Sequence, residues 1–191
     1  LKKLTRNCEL VLLFGNSIES YLKLNSVFLI NIKNQMSIIY RVLLPKESKI
    51  YREIRLVSLK TFPDSFEAKY EDSVKQEKLA FETEIENQSI NRFVCGAFDG
   101  EKLIGICTFA KDKNGKGNII QMFVKPEYQG QNIGRELLEF ILKEVKKRLP
   151  ETDIFLEVAK DNLSAFHLYK KVGFKIEKES EDGRILLMKF E

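Results

Sequence analysis

The sequence predicts a single mixed α/β domain, and three observations lead there. After Met36 the apolar residues recur alternately with the period of a strand and of a helix, in the order β-α-α-β-β-β-α-β-α-β-β. Two Asp-Gly dipeptides, Asp99-Gly100 and Asp182-Gly183, punctuate apolar runs where a tight hairpin needs residues that tolerate positive φ. The chain has 191 residues, 43% of them hydrophobic and 31% charged, without internal repeats or low-complexity segments, which suits one self-sufficient core.

The elements follow in order. Residues 37–43 are rich in β-branched side chains and read as a strand. Pro45 precedes a helix on which Ile50, Ile54 and Val57 fall at i, i+4, i+7 and define the expected buried face. Residues 61–72, with Pro63, read as a loop, and a more polar helix is expected from about residue 74 to 87. Residues 92–98 and 102–110 are strands joined at Asp99-Gly100, and a second turn leads into the strand 118–124. Beyond the segment KPEYQGQNIG comes the strongest amphipathic signal. Leu137, Leu138, Ile141, Leu142, Val145 and Leu149 form one side and Glu136, Glu139, Lys143, Lys146 and Lys147 the other, up to Pro150. A short apolar strand, 154–158, is followed by Asn162, an N-cap residue, and a helix that stops at Gly173. Residues 174–178 and 184–190 make a closing hairpin.

Charge narrows the function classes. The formal net charge is only +4, and residues 1–35 alone carry +3 of it, leaving +1 for residues 36–191. A nucleic-acid binder would need a basic stripe that this stretch lacks in net terms. The first 35 residues are expected to be an extra packed element, a peripheral anchor, or sequence upstream of a true start at Met36. Their apolar runs, 10–14 and 27–30, are too short to span a bilayer. One histidine, His167, and three scattered cysteines, Cys8, Cys95 and Cys107, do not offer the clustered ligands of a metal site. No metal is expected, and a reducing cytoplasm fits the cysteine usage.

Two stretches carry chemistry. In the strand-loop-helix unit at 118–149, Gly130 and Gly134 permit a sharp turn, and the helix that begins near Gly134 offers unpaired N–H groups and partial positive charge. That is a seat for phosphate or pyrophosphate, although the spacing matches neither the GxxxxGK[ST] loop nor the GxGxxG fingerprint. Glycines that merely shape a connection remain the alternative. In LEVAKDNLSAFHLYKKVGF, residues 156–174, Ala165, Leu168, Tyr169 and Val172 share a helical face, so Tyr169 points into the domain and His167 away from it. On the preceding strand Ile154, Leu156 and Val158 alternate with Phe155 and Glu157, which puts a carboxylate in an apolar strand.

Together these stretches resemble the GNAT superfamily of N-acetyltransferases. The acetyl-coenzyme A signature of that family lies over Gln129, Gly130, Gln131, Asn132, Ile133 and Gly134, with Asn132 standing where the family normally has glycine. A second signature matches at Asn162, Ala165, Tyr169, Gly173 and Phe174. The resemblance implies a mostly antiparallel central sheet flanked by helices. It also implies acetyl-CoA as co-substrate, and direct transfer of the acetyl group to a primary amine in a ternary complex. Backbone groups of Met122, Phe123 and Val124 would hold the pantetheine arm and the acetyl carbonyl. Gln129 belongs to the same signature, the loop amides from Gly130 to Arg135 would hold the pyrophosphate, and Asn162 would contact the cofactor or cap its helix. Tyr169 would protonate the departing thiolate.

For the base, Glu157 is the candidate. It lies five residues before Asn162 and twelve before Tyr169, as does the glutamate of members that acetylate a ribosomal protein's N-terminus; ordering water or a neighbouring strand is its other reading. Gln121 cannot titrate and could only orient water. Cys95 and Cys107 are expected to be small buried side chains. The acceptor pocket is expected between the first two helices and the loop 61–72, lined by Arg55, Phe62, Phe66 and Tyr70. The expected partners are acetyl-CoA and an amine, either a small molecule or a protein amine, with no nucleic acid and no membrane, in a monomer or homodimer. A non-catalytic acyl-CoA sensor or interaction module of the same fold is the rival reading.

Overall fold

The computed structural model describes residues 38–191. The leader of residues 1–35, its boundary at Met36 and the expected strand start at residue 37 lie outside the described residues. The first strand there is β1, Ile39–Val42.

Hydrophobic continuity sets the middle of the sheet. In β2 (Arg92–Asp99) every residue from Phe93 to Phe98 is buried, and β3 (Lys102–Lys111) is buried from Leu103 to Ala110. Strands buried without alternation are covered on both faces. Cys95, Ala97, Ile104 and Cys107 pack on one side, and Val94, Phe98, Leu103 and Ile106 on the other. The two strands pair antiparallel across the turn at Gly100, whose φ of 59° glycine adopts without strain. Strand β4 (Gly117–Val124), β5 (Ile154–Ala159), β6 (Phe174–Glu179) and β7 (Ile185–Phe190) complete a seven-stranded sheet in the order β1-β2-β3-β4-β5-β7-β6. All its pairings are antiparallel except β4 with β5.

Helices cover both faces. Helix α1 (Ser48–Thr61) and the short helices α2 (Tyr70–Lys75) and α3 (Ala80–Glu86) lie on one side, where Tyr51, Ile54, Phe81 and Ile85 join Val94, Phe98 and Phe123 in a core. Helix α4 (Ile133–Arg148) and α5 (Leu163–Val172) cover the other. The apolar stripe expected of α4 is the observed one, with Leu137, Leu138, Ile141, Leu142 and Val145 all buried. Asn162 Oδ1 accepts a hydrogen bond from the Ala165 amide at 3.2 Å, and Gly173 ends α5 at φ 117°. No helix among the described residues is long and apolar enough to cross a membrane.

Two expectations are corrected. The expected loop 61–72 and polar helix 74–87 divide differently: α2 begins at Tyr70, inside the expected loop, and α3 covers only Ala80–Glu86, because the chain extends at Gln76 and again at Leu79. Glu82 fixes the restart: its carboxylate accepts from the Leu79 amide at 2.6 Å and pairs with Arg52 at 2.9 Å. The buried face of α1 is also rotated from the expected one. Tyr51, Ile54, Arg55, Ser58 and Leu59 are buried, whereas Val57 is 43% exposed. A stripe that includes arginine and serine is invisible to a search for apolar periodicity.

Candidate active site

The site grows from a defect between β3 and β4. Their register runs Gly105 to Val124 and Ile106 to Phe123, then resumes at Thr108 with Ile120, so two residues, Gln121 and Met122, oppose the single residue Cys107. This is a β-bulge, and Gln121 takes the left-handed conformation, φ 53°, that a non-glycine residue adopts only at a cost. On its other edge β4 pairs with β5 in parallel at Gly117–Ile154, Asn118–Phe155 and Ile119–Leu156 and no further. The strands therefore part, and the β4 edge from Ile120 onward has no strand beside it. Backbone N–H and C=O groups without a ladder partner must bond to something else.

At the end of this parting the chain turns into α4. Gly130 has φ +75°, and a Cβ placed there would meet no protein atom within 4 Å, so backbone conformation and not packing asks for glycine. Asn132 stands at the N-cap with φ 65° and ψ 0°, the left-handed shape that asparagine tolerates. Its Nδ2 donates to Glu136 Oε1 at 3.2 Å, and its carbonyl accepts from the Glu136 amide at 3.1 Å. Ile133 is 3% exposed and anchors the first turn in the core, so only its amide is free for a ligand. The leading amides of a 16-residue helix thus face outward behind an exposed loop, a geometry that fits a pyrophosphate. Of the remaining loop side chains, Gln129 uses Nε2 on the Val124 carbonyl at 2.9 Å, which clamps the loop to β4. Gln131 Nε2 donates to the Glu127 carbonyl at 3.3 Å, and Arg135 pairs with Glu139 at 2.7 Å.

Tyr169 lies in the core on the α4/α5 side of the sheet. It is 8% exposed, packs among Cys107, Leu156 and Val158, and stacks at an angle on Phe174 with ring centroids 6.1 Å apart. Burial, with a smaller contribution from Cys107, pushes its phenol well above the ordinary value, so it carries its proton throughout the neutral range. From the α1 side comes a group that the sequence reading missed. Tyr51, 1% exposed, donates from its hydroxyl to Gln121 Oε1 at 2.8 Å, and Thr108 Oγ1 donates to the same oxygen at 3.2 Å. Gln121 is thereby locked on the bulge. Only the tyrosine's place on the rotated stripe of α1 could have signalled it.

The other candidates fall as follows. Glu157 is exposed and is the first residue of β5 beyond its last pair with β4; since Leu156 and Val158 pack toward α4 and α5, alternation turns it to the α1 side. Met122 is half-buried, and Phe123 and Val124 are buried. Arg55 is 5% exposed with its guanidinium 4.4 Å from the Phe66 ring centroid, and Phe62 meets the Phe123 ring edge-on at 6.1 Å. Tyr70 lies under Lys60 at 5.8 Å. His167 is exposed, and Cys95 and Cys107 are free and fully buried.

Comparison with known proteins agrees with this geometry. Residues 52–174 match the acetyltransferase (GNAT) family. A spermidine N(1)-acetyltransferase of Thermoplasma acidophilum is 31% identical over 123 residues, 63% of this chain and 73% of that protein. The ribosomal protein bS18-alanine N-acetyltransferase of Escherichia coli is 39% identical over 59 residues, 31% of this chain and 39% of that protein. Among solved structures, the PaiA N-acetyltransferase of Thermoplasma acidophilum in complex with coenzyme A superposes with a TM-score of 0.63 at 27% identity, covering 82% of this chain and 99% of that one. On the family match over residues 52–174, more than half of its length, this chain belongs to the GNAT family of acetyltransferases.

Proposed function

We propose that this N-acetyltransferase transfers the acetyl group of acetyl-CoA to a primary amine at the parting of β4 and β5, in one ternary complex. The observation that carries the assignment of the site is the bulge at Gln121 beside an unpaired strand edge, with Tyr169 on one face and Tyr51 on the other. Acetyl-CoA supplies the electrophilic thioester carbonyl. The amides from Gly130 to Arg135, gathered by the left-handed turns at Gly130 and Asn132, hold the pyrophosphate. Backbone groups of Met122, Phe123 and Val124 orient the pantetheine arm and the carbonyl, and Asn162 supports the α5 start as its cap.

Tyr169 gives its proton to the sulfur as the C–S bond breaks and the new C–N bond forms. Its raised pKa keeps that proton available, and the buried setting strengthens the hydrogen bond that transfers it. Glu157, on the amine's side of the parting, accepts the proton the nitrogen loses. The catalytic unit is residues 36–191, a reading supported by the family match over 52–174. The free thiols of Cys95 and Cys107, opposite one another across β2 and β3, fit a reducing cytoplasm.

The test is thiol release from acetyl-CoA across a panel of amines, with product mass as the second readout. Amine-dependent release with a gain of one acetyl group on the amine is expected. Tight acetyl-CoA binding without release for any amine would favour the sensor reading.

A further inference from the structure

Arg55 is the one buried charge on α1 without a counter-ion among the described residues. Glu47 is matched by Arg41 at 2.6 Å and Glu82 by Arg52 at 2.9 Å. Arg55, 5% exposed, has instead one hydrogen bond, from Nη1 to Ser58 Oγ at 3.2 Å, and the face of Phe66. Burial pulls its guanidinium down from the ordinary value, with Tyr51 as the only opposing influence. A guanidinium has five donors, and a charge held out of water without a partner destabilises the free protein. No carboxylate among the described residues pairs with it to offset that cost.

Position says where an offsetting group would sit. Arg55 follows Tyr51 by four residues on α1, about 6 Å along the axis and on the same face. Its guanidinium meets Ser58 Oγ and the Phe66 ring, toward the C-terminal end of α1, and is still close enough to Tyr51 to act on its hydroxyl electrostatically. The Tyr51 hydroxyl is bonded to Gln121 on the bulge. The cation therefore lies on the amine's side of the sheet, about one helical turn from the tyrosine that bonds the bulge.

We infer that the acceptor is a small amine bearing a carboxylate a few bonds from its nitrogen, and that Arg55 binds that carboxylate. The inference rests on the acetyl-transfer reading for the placement of the amine. It separates this chain from the polyamine that its Thermoplasma acidophilum relative is named for, since a second ammonium group would meet Arg55 as a like charge.

The experiment compares 4-aminobutanoate with 4-aminobutanamide, which differ in charge at the far end, and with spermidine. A charge-assisted hydrogen bond predicts kcat/KM higher for the carboxylate by roughly 10- to 100-fold. Arg55→Met brings the two acceptors within about threefold of each other, and Arg55→Lys keeps part of the preference. Arg55→Met also raises Tm, because it removes an uncompensated buried charge, so misfolding does not obscure the result. Equal rates for the two acceptors, a ratio unchanged by Arg55→Met, or spermidine as the best of the three would overturn the inference. Calorimetry of 4-aminobutanoate on the protein saturated with coenzyme A separates the two readings. Arg55-dependent binding without thiol release sinks acetyl transfer and keeps the carboxylate site, and no Arg55-dependent binding sinks the site.

Discussion

Replacing Tyr169 with phenylalanine removes one oxygen from the parting of β4 and β5 and leaves the ring contact with Phe174 in place. Stability should move by less than about 1 kcal/mol. The rate should move more. Proton transfer from a positioned acid contributes about 10²- to 10⁴-fold. Burial holds this phenol above its ordinary value of 10.0, while a thiol sits near 8.5, so the transfer is uphill by at least about 2 kcal/mol. An uphill donor belongs at the lower end of that range. The expected loss in kcat is about 100-fold, or about 2.7 kcal/mol of transition-state stabilisation. The assay is steady-state thiol release, paired with calorimetric titration of acetyl-CoA. Turnover should fall as stated while the acetyl-CoA Kd stays within about threefold. A kcat within threefold of the parent, or a Kd that weakens as much as kcat falls, would refute the assignment of Tyr169 as the acid.

Three further outcomes follow from the geometry. Asn132→Gly should keep or tighten acetyl-CoA binding, since φ 65° costs asparagine about 1 kcal/mol and glycine almost nothing; a tenfold weaker Kd would show that the asparagine side chain has a ligand contact of its own. Glu157→Gln should abolish the rising limb of the pH-rate profile, and a limb that survives unchanged places the base elsewhere. Tyr51 and Tyr169 are both held above 10.0 by burial, so above pH 10 the unfolded chain gives up protons that the folded chain keeps. Stability is then present below pH 10 and falls as pH rises through the folded values, by about 1.4 kcal/mol per pH unit for each tyrosine. Urea unfolding at pH 9, 10 and 11 reads this directly, and constant stability across that range contradicts it.

Much of the architecture was legible because its determinants are local. The Asp99-Gly100 hairpin, the stripe of α4 and the cap pair Asn162 and Gly173 each follow from chemistry within a few residues, and each is observed. The α1 face was misread because its burial depends on distant groups. Arg55 and Ser58 are inside only because Phe66 and the sheet cover them, and Tyr51 is inside to reach Gln121, 70 residues away. The break between α2 and α3 rests on Glu82 accepting from a backbone amide, a role its sequence position does not reveal. The bulge was equally hidden. Gln121 has no glycine-like signature, and its left-handed backbone is maintained by the register of β3 and the contacts of Thr108 and Tyr51. Family motifs located the loop and Tyr169, whereas the α1 side of the site, where the acceptor is proposed to bind, became visible only in three dimensions.

A crystal structure of the protein bound to coenzyme A decides between this account and its rivals. The pyrophosphate should lie within hydrogen-bond distance of amides between Gly130 and Arg135, with the pantetheine arm along the free edge of β4 past Ile119 and the sulfur beside the Tyr169 hydroxyl. Coenzyme A bound elsewhere, or a sulfur remote from Tyr169 with β4 and β5 closed into a continuous ladder, would contradict it.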